Sequence, residues 1–204
     1  MNEEINVRPL SESDDLGRVA ELIYQVDPYI CPDFFGDKER ARKIGPVLIK
    51  NNKTLFGLKN MLVAEVGDEL LGIIVFVDNK IEDWDCESVK SDILSTGIEL
   101  PENFDRANKN YMELVTNEAK NLPDGIVEIE LLATDVSARG KGIGGKLMDA
   151  VTSLPNYSEQ HLTVLADNPG AIHLYEKKGF KVVSSQFGYP DESVKTFNMI
   201  RKNN

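Results

Sequence analysis

Arg139-Gly140-Lys141-Gly142-Ile143-Gly144-Gly145 is the stretch from which the rest of the chain can be placed. Its four glycines let the backbone turn tightly and approach a ligand with no Cβ in the way. An alternating stretch from Gly125 to Thr134 precedes it, which predicts a strand. Ile143, Leu147 and Val151 follow at helical spacing and predict a helix from Gly140 to Ser153. The first amides of a helix have no internal acceptor, and the helix dipole favours negative charge there. A phosphate suits such a helix mouth.

Two phosphate-binding patterns fail on this stretch. A P-loop needs Ser or Thr after its Lys, and Lys141 is followed by Gly142. Gly140, Gly142 and Gly145 do satisfy G-x-G-x-x-G, and Asp167 lies about 20 residues on, where a ribose-binding acid is expected. But the loop Asp135 to Ala138 separates strand from glycines. Only about 60 residues follow, too few for the two halves of a dinucleotide fold.

A second stretch settles the comparison: Asn168-Pro169-Gly170-Ala171-Ile172-His173-Leu174-Tyr175-Glu176-Lys177-Lys178-Gly179-Phe180. Asn168 as N-cap, Pro169 at the first helical position and Gly179 just past the end punctuate a helix from Pro169 to Lys178. Arg139-x-x-Gly142-x-Gly144 together with this stretch resembles the GNAT superfamily of N-acetyltransferases. The resemblance covers residues 125 to 183.

The resemblance implies a fold of the α/β (α+β) class, a mixed and mainly antiparallel central sheet with helices on both faces. It implies acetyl-CoA as donor and no metal. The segment Arg139, Gly140, Lys141, Gly142, Ile143, Gly144 and Gly145 would hold the pyrophosphate through its amides. The main chain of Leu132, Ala133 and Thr134 would pair with the pantetheine arm, in a gap where the strands from Gly125 and His161 splay apart. Asn168 is a further candidate contact, besides its capping role.

Amine acetylation needs two proton movements. An alkylamine has a pKa near ~10.4, so a base or a water chain must take its proton before it attacks. The departing thiolate needs a donor, and Tyr175, whose phenol is protonated at neutral pH, stands where the family's tyrosine stands. For the base, alternation along the strand puts Val127, Ile129, Leu131 and Ala133 on one face and Glu128, Glu130, Leu132 and Thr134 on the other. Glu128, Glu130 or water is the candidate base. His161 and His173 are weaker candidates. Tyr29, Phe34 and Phe35 could rim an acceptor pocket, or simply pack.

Elsewhere, Ile5 to Arg8 reads as a strand. A helix follows from about Asp14 to Gln25, capped by Ser11 or Ser13. Asp27 to Gly36 reads as an aromatic loop, and Asp37 to Asn52 as a second helix. Met61 to Val66 and Glu69 to Val77 read as paired strands about a Gly67-Asp68 turn. Asn79 to Pro123 carries no motif; it reads as an inserted, partly solvated flank, helical from about Phe104 to Asn121. His161 to Ala166, Phe180 to Gln186 and Val194 to Ile200 are the remaining strands, with a turn over 188–191.

The chain has 204 residues, 41% of them apolar, which fits one domain over 1–204 with an insertion at about 79–124. The formal net charge of −11 argues against nucleic acid as partner and is compatible with a cationic substrate. No long apolar run predicts a membrane span, and the acidic start lacks a leader pattern, so a cytoplasmic location is expected. Cys31 and Cys86 are isolated and expected to be reduced. The expected activity is acetyl transfer to a small-molecule or peptide amine, with a homodimer left open. The rivals are a non-catalytic acyl-CoA-binding module and a dinucleotide oxidoreductase.

Overall fold

Gly67 and Asp68 join β2 (Met61–Val66) to β3 (Glu69–Val77) in the hairpin that starts the sheet, with Gly67 at φ 59. The computed structural model describes residues 4–28, 30–79, 85–109, 121–187 and 193–203. Tyr29, the expected turn over 188–191 and most of the expected helix from Phe104 to Asn121 lie outside these. β1 (Ile5–Pro9), β4 (Ile126–Thr134), β5 (Glu159–Leu165), β6 (Lys181–Phe187) and β7 (Lys195–Lys202) complete a seven-stranded sheet in the order β1-β2-β3-β4-β5-β7-β6. Every neighbouring pair is antiparallel except β4 with β5, which is parallel. The fold class is the expected one.

Helices cover both faces. On one lie α1 (Leu16–Tyr24), α2 (Ile30–Phe35), α3 (Lys38–Asn51), α4 (Cys86–Ser95) and α5 (Phe104–Ala107); on the other lie α6 (Ile143–Thr152) and α7 (Pro169–Lys177). Each face has its own core. β3 is apolar nearly throughout because it feeds both: Ile73, Val75 and Val77 pack in the first, Leu71 and Ile74 in the second.

The structure corrects three expectations. Asp15, not Ser11 or Ser13, caps α1, accepting from the Arg18 amide at 2.9 Å. Asp14 is held instead by Arg8, in two bonds of 2.8 Å. The aromatic stretch after Asp27 is no open loop: α2 buries Phe34 and Phe35 in the first core. Among the described residues of the 79–123 flank most are exposed or half-buried, in keeping with the expected partly solvated flank, and a few anchor it to the core. Asp85 caps α4, and Val89 and Ile93, one turn apart, enter the first core with Phe104 and Ala107.

The third correction concerns β4. Val75 pairs with Leu131 but Phe76 pairs with Ile129, so Glu130 is an extra residue, a β-bulge. The bulge reverses which face each later residue takes. Val127 and Ile129 lie in the second core, whereas Leu131 and Ala133 lie in the first. The expected apolar row is therefore broken, and Leu132 does not continue the row of Glu128 and Glu130, which both stand on the first-core side. Glu128 shares the face of its partner Val77, in the first core, while Leu132 lies on the second-core side.

Candidate functional site

β4 and β5 are paired from Ile126↔Glu159 to Ile129↔Leu162 and no further, although β4 runs on to Thr134 and β5 to Leu165. The far edge of β4 stays paired to β3 as far as Gly72↔Thr134. Glu130 to Thr134 thus present one backbone edge to an opening between the strands. An extended chain laid there would find backbone donors and acceptors, as at any sheet edge.

At the end of that edge the chain turns into the glycine segment. Asp135 anchors the turn. Its carboxylate accepts from the Ser137 hydroxyl at 2.5 Å, the Ser137 amide at 2.8 Å and Arg18 at 2.5 Å. Ser137 and then Arg18 hold that carboxyl well below the usual carboxylate range. Arg18 belongs to α1 and also donates to the Leu70 carbonyl and Glu21, so it ties the first helix layer to this turn. Residues 136–138 then form one 3₁₀ turn.

Gly142 starts α6 at φ 89, a backbone conformation that side chains disfavour. α1, α3, α4 and α7 each begin under a side-chain cap, from Asp15, Asp37, Asp85 and Asn168; α6 has no side-chain cap. Its first amides therefore await an acceptor from outside the helix. Arg139, Lys141 and Lys146 are exposed around this mouth, a local positive patch on an acidic protein. A Cβ on Gly144 would stand 3.3 Å from Leu174, 3.5 Å from Thr134 and 3.8 Å from Leu132. The helix mouth, the free edge of β4 and α7 converge at that point. The residues present thus fit a diphosphate with an extended arm.

Tyr175, next to Leu174 on α7, is buried in the second core with its ring 6.1 Å from Phe180. Burial pushes its phenol up to about 12, so it is protonated at any physiological pH. Asn168 is committed locally: its side-chain oxygen accepts from the Ala171 amide at 3.1 Å. His173 is exposed.

The two candidate carboxylates part company. Glu130 lines a cavity of about 60 Å³ with Val26, Asp27, Cys31, Phe34, Phe35, Phe56 and Leu131. Glu128 pairs in register with His161, whose Nδ1 lies 4.0 Å from its carboxylate. The other ring nitrogen is 3.2 Å from Glu159, which in turn holds Lys202 at 2.7 Å. Sequence reasoning set His161 aside. Its position against Glu128 depends on the register of a parallel strand pair, for which the sequence carries no signal. Among the described residues no group of three or more His, Cys, Asp or Glu is gathered as metal ligands. No helix among them is long and apolar enough to cross a membrane.

Comparison with known proteins agrees with this fold. Residues 108–182 match the family model described as an acetyltransferase (GNAT) domain. No curated protein sequence matches the chain. Among solved structures, one described as an acetyltransferase shares 19% identity over 98% of this chain and 100% of its own, with a TM-score of 0.67. An N-acetyltransferase from Staphylococcus aureus Mu50 shares 19% over 96% and 99%, at 0.66. A NatC complex solved with Gag peptide and CoA shares 17% over 98% and 99%, at 0.58.

Proposed function

We propose that this chain, which carries an acetyltransferase (GNAT) domain, moves an acetyl group from acetyl-CoA to a primary amine by direct attack on the thioester. The observation that carries the proposal is the parting of β4 from β5 beside the uncapped mouth of α6. In this reading the amides at the start of α6 hold the diphosphate and the free edge of β4, from Leu132 to Thr134, orients the arm. The thioester then lies near the bulge. A carboxylate of β4, directly or through water, takes the proton of the incoming amine. The C–N bond forms as the C–S bond breaks.

Tyr175 faces an energetic limit in this scheme. A phenol near 12 cannot fully protonate a thiolate of ordinary pKa, about 8.5, without roughly 5 kcal/mol of cost. Its role is therefore to donate a hydrogen bond to the departing sulfur, while the proton the thiol finally carries comes from the amine or from water. Tyr175→Phe should lower kcat by about 100-fold, the lower range for the loss of one preorganised hydrogen-bond donor, with the affinity for CoA within twofold of the parent.

Thiol release from acetyl-CoA, followed across a panel of amines, tests the proposal. Amine-dependent release supports it. Saturable CoA binding without release for any amine would assign the fold to a non-catalytic binding module instead.

A further inference from the structure

Glu130 belongs to two features at once. It is the first residue of β4 beyond the last β4–β5 pair, and it lines the cavity under α1 and α2. We infer that this cavity is the acceptor site and that it takes the straight-chain end of a protonated primary alkylamine, about four to six non-hydrogen atoms long. The inference rests on the acyl-transfer reading above.

Size comes first. The cavity measures about 60 Å³. A single water occupies roughly 10–15 Å³ of such space, so about four to six heavy atoms fill it. That is a butylamine-to-pentylamine chain, or the side chain of a lysine. A sugar ring or a nucleobase is too large.

The lining supplies the chemistry. Phe34, Phe35 and Phe56 form one wall, with ring centroids 5.0 Å (Phe34–Phe35), 6.1 Å (Phe34–Phe56) and 6.4 Å (Phe35–Phe56) apart. All three are buried, so the wall is fixed by packing and offers methylenes an apolar surface. Asp27 and Glu130 are the charged side chains among the described lining residues. Carboxylates favour an ammonium and repel the carboxylate that an amino acid would bring alongside its amine. Cys31 does not compete for the acetyl group. Its thiol donates to the Ile23 carbonyl at 3.4 Å, and burial pushes it up to about 12, leaving no thiolate at neutral pH.

The free alkylamine and the lysine side chain share this chemistry, and the experiment separates them. Thiol release is measured on the full chain with acetyl-CoA and propylamine, butylamine, pentylamine, octylamine, Nα-acetyl-lysine amide, glycine and an aminocyclitol. kcat/KM should rise about fourfold per methylene up to pentylamine, the factor that corresponds to about 0.8 kcal/mol per buried methylene, and gain no more at octylamine. Turnover of the lysine amide at a rate near that of pentylamine would identify a lysine side chain as the source; turnover of the free amines alone would identify a small molecule. Phe56→Ala should shift the optimum to longer chains, and Phe56→Leu should shift it less. Affinity for CoA, unchanged in both variants, serves as the fold control. Equal kcat/KM across chain lengths, or preference for glycine or the aminocyclitol, would overturn the inference and leave acyl transfer standing. CoA binding with no release for any amine would remove the premise and the inference together.

Discussion

Gly72→Ala is expected to weaken coenzyme binding from the strand that underlies the helix mouth. Gly72 lies in β3 beneath the first turn of α6. A Cβ there would stand 2.6 Å from Cγ2 of Ile143, 3.0 Å from Cδ1 of Leu147 and 3.2 Å from the Ala133 carbonyl. Ordinary carbon contacts lie at about 3.5–4.0 Å, so Ile143 must retreat by about 1 Å. Ile143 is the first residue of α6, and a helix moves as a unit, so the amides at its mouth shift with it. Overpacking of this kind costs about 1–3 kcal/mol. At about 2–4 °C per kcal/mol for a chain of this size, the Tm should fall by roughly 2–12 °C. If the shifted mouth loses about 1.4 kcal/mol of hydrogen bonding, the Kd for CoA rises about tenfold. Thermal unfolding and calorimetric titration with CoA measure the two effects. Gly67→Ala is the control: at φ 59 with nothing within 4 Å, it carries backbone strain alone and should leave the Kd unchanged. An unchanged Kd in Gly72→Ala, or an equal loss in Gly67→Ala, would refute the argument that Gly72 seats the helix mouth.

Gly142→Ala has open space around the new Cβ but must hold φ near 89, at a cost of about 1–3 kcal/mol; CoA affinity should drop about tenfold while the far-UV spectrum stays that of the parent. Arg18→Gln removes the partner that lies 2.5 Å from Asp135. A lowered folded-state pKa stabilises above the unfolded value of about 3.9 and that stability is lost as pH falls below it, so the deficit of the variant in urea unfolding should be full at pH 7 and shrink below about pH 4. Burial raises Cys31 and Tyr175 to about 12, whereas the unfolded chain ionises them near 8.5 and 10. Their contribution is whole below those values and lost as pH climbs towards 12, so Cys31→Ala should show a shallower decline in stability between about pH 9 and 10 than the parent.

Much of the fold was legible because local chemistry and tertiary role coincided. Asn168, Pro169 and Gly179 marked the ends of α7 to within a residue, since caps act through neighbouring amides and need no distant partner. The β2–β3 hairpin was found in full for the same reason. α4 was missed because its amphipathic signal is thin: Val89 and Ile93 are its buried anchors on an otherwise polar helix, and their burial depends on a core assembled by α1 to α3. The aromatic stretch was misread because Pro32 and the flanking acids look like a loop, while the packing of Phe34 and Phe35 on Phe56 and Phe104 pulls it into a helix.

The glycine segment of the site was equally legible, since a helix mouth without a side-chain cap is written in consecutive residues. The faces of β4 beyond Glu130 were not. Strict alternation treats β4 as a regular strand, and a single extra residue at Glu130 reverses every assignment beyond it. Nothing local marks the bulge, because Glu130 is as compatible with regular pairing as its neighbours. Glu130 stands at the acceptor cavity and Glu128 stands against His161, so the two carboxylates act in separate surroundings. Glu130→Gln should therefore raise the KM for the amine, whereas Glu128→Gln should act on kcat. Steady-state kinetics in which both variants changed the same constant by the same factor would mean that the two carboxylates do not serve separate roles.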